Sequence, residues 1–190
     1  MNQSSPPFRV VFSHDQILRR SHELARDLQQ ILGDEPPCLV QVIEGARPFA
    51  RLVQQSLPGS LPVHEVRAKS YQGTQSTGAV QITMLHGLGQ AEVDGRDVVL
   101  LEDIVDTGRT IAALREHFGK LGARSVRVAS LLSKPSRRVV EVAVEHIGFE
   151  IPDEFVIGFG MDLDNRYREL LDVVVYDAEV EREFVDSVRT

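Results

Sequence analysis

Between Val98 and Ile111 the chain passes from four apolar residues, Val98 to Leu101, into two adjacent carboxylates, Glu102 and Asp103. It then crosses Asp106-Thr107-Gly108-Arg109-Thr110 before apolar periodicity resumes. This pattern predicts strand, loop, helix. In an open α/β sheet, ligands sit outside the carboxyl ends of the strands, and a helix starting there aims unpaired N–H groups and its positive dipole end at them. A phosphate suits such a corner. Thr107 and Thr110 add hydroxyls, and Gly108 removes the side chain that would hold the backbone away from phosphate oxygens. Glu102 and Asp103 cannot be phosphate ligands, because like charges repel, so they face hydroxyl groups, a divalent cation or both. The implied ligand has a sugar diol at one end and a phosphate at the other. Asp106 reads equally well as a turn or N-cap residue.

The flanking chain supplies elements to hold this corner. Arg9–Phe12 reads as a short strand, and Ser13 with Gln16 forms a capping box ahead of a helix whose apolar face carries Ile17, Leu18, Leu24, Ala25, Leu28, Ile31 and Leu32, with Gly33 as its stop. Cys38–Ile43 is the first convincing core strand. Pro48 then occupies the first turn of a helix presenting Phe49, Leu52, Val53 and Leu57. Further strands are expected over 62–67, 80–85, 97–102, 125–132, 145–149, 155–159 and 173–176. A helix through Ile111, Leu114, Phe118 and Leu121 ends at Gly122. Strands alternating with helices predict a mostly parallel sheet, and the strand-rich stretch from Ser125 to Tyr176 predicts a small added lobe. Residues 69–79 hold almost no apolar anchor and read as a loop.

Composition excludes several classes. Hydrophobic content of 42% and charged content of 26% over 190 residues are ordinary for one globular domain, with residues 1–8 and about 180–190 peripheral to it. No apolar run approaches a membrane span. A net charge of −7 argues against a general nucleic-acid surface. The single cysteine, Cys38, permits a reducing compartment, so a cytoplasmic protein is expected. The six histidines show no metal-ligand spacing.

The stretch from Val98 to Ile111 resembles the phosphoribosyl pyrophosphate signature of type I phosphoribosyltransferases. Two further segments, Leu131-Leu132-Ser133-Lys134-Pro135-Ser136-Arg137-Arg138 and Ile147-Gly148-Phe149-Glu150-Ile151-Pro152-Asp153-Glu154-Phe155-Val156-Ile157-Gly158, resemble the purine-binding part of the hypoxanthine-guanine phosphoribosyltransferase family. The similarity runs from about Phe8 to Asp177. It implies an α/β fold with a mostly parallel twisted sheet, flanking helices and a small purine-binding lobe. The implied activity is purine salvage: magnesium-dependent transfer of ribose 5-phosphate from phosphoribosyl pyrophosphate to N9 of hypoxanthine or guanine.

By the same resemblance, phosphoribosyl pyrophosphate lies on Gly45, Ser70, Tyr71, Glu102, Asp103, Asp106, Thr107, Gly108, Arg109, Thr110 and Arg168. Asp106 is the general base or acid beside purine N7. Lys134, which could otherwise snorkel to solvent, faces the exocyclic oxygen, where a 6-amino group would present donors instead of an acceptor. Phe155, which could otherwise be core, stacks on the purine, and Val156 offers backbone groups to its edge. Asp162 stands near the base and, with Glu102 and Asp103, near Mg2+. Ser70 and Tyr71 lead a lid that excludes water. A homodimer or homotetramer is implied as well.

One departure stands out. Many of these enzymes carry Lys or Arg before the glycine that ends the first core strand, whereas this chain has Glu44 before Gly45. Two like charges at about 4 Å repel by roughly 4 kcal/mol at an effective dielectric of about 20, so Glu44 is not expected to touch pyrophosphate. Backbone contact alone, charge from Arg47, or intervening magnesium could each resolve this. Two alternatives for the whole chain stay open: transfer to another base such as xanthine, adenine or a pyrimidine, and a nucleotide-sensing regulator without turnover, for which Glu44 is the only support.

Overall fold

The local signals translate directly into elements. The Ser13 amide donates to Gln16 Oε1 at 2.9 Å and the Gln16 amide to Ser13 Oγ at 3.4 Å, which closes the capping box and starts a helix. The computed structural model describes residues 6–31, 35–59, 61–70 and 80–189. In chain order these form β1 (Arg9–Phe12), α1 (His14–Ile31), β2 (Cys38–Ile43), α2 (Arg47–Ser56), β3 (Val63–Ser70), β4 (Val80–Met84), α3 (Gln90–Val93), β5 (Asp97–Val105), α4 (Arg109–Lys120), β6 (Ser125–Ser133), β7 (His146–Glu150), β8 (Val156–Ile157), β9 (Val173–Val175) and α5 (Ala178–Arg189). Tyr71 with residues 72–79 of the expected lid, and Gly33, lie outside the described residues.

A six-stranded sheet in the order β4-β3-β2-β5-β6-β7 is parallel except at its edge, where β4 runs against β3. Val98 to Leu101 of β5 are all 0% exposed, because both faces are covered. Val99 and Leu101 pack with Leu24 and Leu28 of α1 and Phe49 and Val53 of α2. Val98 and Leu100 alternate to the other face, against Ile111, Leu114 and Phe118 of α4. This architecture is the α/β fold expected from the sequence.

Two expectations need correction. The strand expected to end at Glu102 runs on to Val105, since Ile104 and Val105 continue pairing with Leu132 and Ser133 of β6. Glu102 and Asp103 therefore sit in the strand, where side-chain alternation separates their directions. The small lobe is also assembled differently. β6 and β7 belong to the main sheet, and the lobe's sheet is β1-β9-β8, antiparallel throughout, so it joins the first strand of the chain to the last two. At its margins, Phe8 is buried and packs edge-on against Tyr167. Among the described residues, no helix is long and apolar enough to cross a membrane.

The central β5–β6 pair is pinned at its start by Asp97. Its carboxylate pairs with Arg124 at 2.8 Å and accepts from Ser125 Oγ at 2.6 Å. Arg124 first, and then Ser125, hold the carboxyl down to about 2. A folded-state pKa below the unfolded one gives stability that is present above the unfolded value of about 4 and is lost as pH falls through the folded value. Asp97→Asn is therefore expected to cost about 1 kcal/mol near neutrality. In urea unfolding, the gap to the wild-type protein should close as pH falls from about 4 to about 2.

Candidate active site

The site begins with a buried carboxylate, Glu102, and a half-buried one, Asp103, neither of which forms an ion pair among the described residues. Glu102 is 7% exposed, and its Oε2 has no hydrogen-bond partner among the described residues. Burial, and then the nearby charge of Asp103, push its carboxyl well above the ordinary carboxylate range. Burial also pushes Asp103 up, to about 6, although its Oδ1 accepts the Ile104 amide at 2.8 Å. The other oxygen lies against the backbone at the end of β2. A methyl group built on Gly45 would stand 1.7 Å from Asp103 Oδ2, so only glycine allows that approach.

Strand alternation sends these two acids into different spaces. Glu102 lines a small cavity of about 80 Å³ together with Val105, Asp106, Thr107, Gly108 and Thr110. The space is walled by the loop that enters α4. Asp103 lines a larger cavity of about 220 Å³ with Asp106, Lys134, Phe155, Val156, Met161 and Asp162. Ile104 and Asp106 line both cavities, so the two adjoin at the end of β5. Arg109 is exposed and lines neither. Gly108 takes φ +83°, the left-handed region, where it starts α4.

In the larger cavity, Lys134 is 7% exposed, and its amide donates to Val105 O at 3.0 Å. Its ammonium stands 3.9 Å from Asp153. Phe155 is 52% exposed and meets Tyr176 in a T-shaped contact, 6.0 Å between centroids. A large apolar ring left open in a cavity wall is a stacking surface. Tyr176 is held in turn by Glu181 of α5, whose carboxylate accepts from Tyr176 at 2.7 Å and also from Tyr167 and Arg166. This accounts for Arg166, which takes no place in the cavity. Asp162 Oδ1 pairs with Arg168 at 2.7 Å and Oδ2 accepts the Asn165 amide at 2.7 Å, while Arg168 also donates to Gly160 O at 2.6 Å. Arg168 thus stands where its charge reaches Asp103. Ser70 is the last residue of β3.

Sequence reasoning passed over two participants, Arg137 and Arg67. Arg137 pairs with Asp106 at 3.3 Å and with Asp153 at 3.5 Å, which closes an alternating chain of charges from Asp106 to Lys134. Arg67 on β3 pairs with Glu44 at 3.1 Å. The parallel pairing of β2 with β3 sets Arg67 one residue beside it, opposite Ile43. Arg47 also meets Glu44, at 3.4 Å, but its guanidinium reaches Glu65 at 3.2 Å as well. Glu44 is therefore balanced by two arginines rather than left as a lone negative charge. A lysine or arginine in a polar stretch carries no sequence signal for such partners, because register alone creates them.

Among the described residues, no group of three or more His, Cys, Asp or Glu side chains is placed to hold a metal ion. A magnesium ion does not need one. It keeps several waters and takes one or two carboxylates plus substrate oxygens, and the partnerless Glu102 Oε2 beside Asp103 fits that donor set.

An acidic strand end, an amide-lined corner leading into a helix and an adjoining half-apolar cavity define an α/β protein built to hold a phosphorylated sugar beside a flat ring. The phosphoribosyl transferase domain family matches over residues 11–164, and the chain belongs to that family. It is 36% identical over 173 residues to a hypoxanthine-guanine phosphoribosyltransferase of Streptococcus thermophilus, covering 90% of this chain and 94% of the relative. The figure is 32% over the same length and shares for the corresponding Streptococcus pyogenes protein. Among solved structures, a hypoxanthine phosphoribosyltransferase from Staphylococcus aureus superposes with a TM-score of 0.83 at 30% identity, over 90% of this chain and 92% of that one. A hypoxanthine-guanine phosphoribosyltransferase from Bacillus anthracis gives 0.81 at 29%, over 88% and 98%.

The contact between Gly45 and Asp103 is directly testable by stability. Gly45→Ala is expected to cost about 1–3 kcal/mol in urea unfolding, through overpacking. Combining it with Asp103→Ala, which vacates the space, should recover most of the loss; simple additivity of the two changes would contradict the contact.

Proposed function

We propose that this chain catalyses magnesium-dependent transfer of ribose 5-phosphate from phosphoribosyl pyrophosphate to N9 of hypoxanthine or guanine, giving the nucleoside 5′-monophosphate and pyrophosphate. It is a purine-salvage enzyme of the cytoplasm. The observation that carries this reading is that Lys134, Phe155, Asp106 and Asp103 line one cavity, which adjoins the small cavity under Thr107 to Thr110. Family membership and the names of the relatives support the same reaction, and assembly as a homodimer or homotetramer is part of the same proposal.

Each residue then has a definable task. The 5′-phosphate lies on the loop amides and hydroxyls from Asp106 to Thr110, and the ribose hydroxyls face Glu102 and Asp103. The purine lies on the open face of Phe155 beside Val156. There the Lys134 ammonium donates to O6, and an adenine amino group would meet it donor to donor. Asp106 receives the proton from N7 as N9 bonds to the ribose carbon and the bond to pyrophosphate breaks. Arg168 stands beside the leaving group, where developing negative charge is stabilised by a cation held in place beforehand. Asp162 keeps Arg168 oriented, and each of its oxygens retains a lone pair. Magnesium, when bound, would be held by Glu102 and Asp103 near Asp162, and would offset charge on pyrophosphate.

A panel of hypoxanthine, guanine, xanthine and adenine, assayed by pyrophosphate release with and without magnesium, tests the proposal. Turnover is expected with the 6-oxopurines only and only with magnesium. A preference for adenine would refute the role of Lys134, and no release with any base would favour the regulator. Lys134→Ala should lower kcat/KM for hypoxanthine by about thirtyfold, the worth of a hydrogen bond from a charged donor.

Residue 44 gives a separate test. Because Arg67 and Arg47 already balance Glu44, and surface ion pairs are worth little, Glu44→Lys should leave the phosphoribosyl pyrophosphate KM within about twofold. A large improvement would show that this position itself must carry positive charge.

A further inference from the structure

Arg138 lines neither cavity, yet its guanidinium is the most heavily engaged side chain around them. Nη1 donates to Val105 O at 2.5 Å and to Asp106 O, with Lys134 O at 3.4 Å, and Nη2 donates to Ser133 Oγ at 2.9 Å. It bridges the ends of β5 and β6. The backbone that follows continues the same seam, with the amides of Val139 and Val140 both donating to Thr107 O at 3.1 Å. The fit is close, since a methyl group on Gly108 would stand 2.4 Å from Val140 O.

These bonds have a consequence on the opposite side of the loop. A peptide unit is planar and trans, so its C=O and the N–H of the next residue point in opposite directions. The carbonyls of Val105, Asp106 and Thr107 are all drawn to Arg138 and to the chain at 139–140. The amides of Asp106, Thr107 and Gly108 are thereby turned away from that seam, and the same three residues line the small cavity. None of those three amides has an acceptor among the described residues. Successive free amides on one side of a turn form an anion-binding concavity. A loop of this kind would lose that arrangement if its carbonyls were free to rotate toward the cavity.

We propose that Arg138 is a positioning residue: by holding the carbonyls of Val105 and Asp106, it aims the amides of Asp106 and Thr107 at the phosphate before any ligand arrives. The ligand side of this inference rests on the purine nucleotide reading above. Arg138 does not touch the phosphate in this role, and its effect passes through peptide orientation rather than through its charge.

The test is equilibrium binding of inosine 5′-monophosphate, inosine and inorganic phosphate to the wild-type protein, Arg138→Gln and Arg138→Lys. Arg138→Gln should weaken the nucleotide by about tenfold to a hundredfold, while inosine, which lacks the phosphate, stays within about twofold. Arg138→Lys keeps the charge but loses the planar fork, so it should recover only part of that loss. Complete recovery would assign the effect to charge and overturn the proposal. So would equal weakening of nucleotide and nucleoside, or an unmoved nucleotide affinity. Should Arg138→Gln fail to fold, Arg138→Lys carries the test by the same comparison. A wild-type protein that binds phosphate but neither purine compound would sink the purine reading instead; the positioning role would then be decided by whether Arg138→Gln weakens phosphate and Arg138→Lys restores only part of it.

Discussion

A buried carboxylate, Glu102, and a half-buried one, Asp103, stand side by side at the end of the central strand, and no cation among the described residues pairs with either. Glu102 has an oxygen with no partner among the described residues, and Asp103 has the Ile104 amide, the charge of Arg168 and the bare chain at Gly45. A buried charge without a partner is costly, and the group responds by holding its proton. Such an arrangement survives only when the surrounding core is strong enough to impose it. Here that core is the doubly covered β5, whose four residues before the acids are wholly buried between helices on both faces. The structure thus holds ready an electrostatic deficit that sugar hydroxyls and a divalent cation would relieve.

The rest of the architecture gathers the candidate site residues around that point. Alternation along β5 sends one acid toward the loop preceding α4 and the other toward the small lobe, with Asp106 common to both spaces. The β6 end brings Lys134 beside this strand through the amide bond to Val105 O. The lobe then supplies Phe155 as an open face, backed by Tyr176 and, behind that, by Glu181 in the last helix. Residues near the C-terminal end of the described chain therefore bear on the same cavity. The seam formed by Arg138, Val139 and Val140 ties the loop entering α4 to the end of β6.

Much of this was legible from short stretches of sequence. The capping box at Ser13 and Gln16, the strand at Cys38–Ile43, Pro48 in the first turn of α2, and the helix through Ile111, Leu114 and Phe118 all rest on local periodicity and backbone chemistry. The strand-loop-helix corner could be read for the same reason, since four buried-type residues followed by acids and a glycine turn admit few other conformations. Local pattern failed where pairing decided the outcome. Ile104 and Val105 look like loop residues beside two acids, but β6 offers them continuing partners and extends the strand. Arg9–Phe12 looks like any short strand, and nothing near it indicates that it pairs with Val173–Val175.

The sequence by itself determined the chemistry available: an acidic pair, a glycine-bearing phosphate loop, a lysine at a strand end and an aromatic residue after a proline turn. These are local choices, set by side-chain type and by the backbone angles that each residue permits. Only the tertiary structure decided which charges would meet. Glu44 found Arg67 through the register of β2 on β3, Arg137 found Asp106 and Asp153 across a turn, and Arg138 found the carbonyls of a neighbouring strand end. Electrostatic and hydrogen-bond partners are fixed by distance in space, and a one-residue change of register would have given every one of these side chains different company.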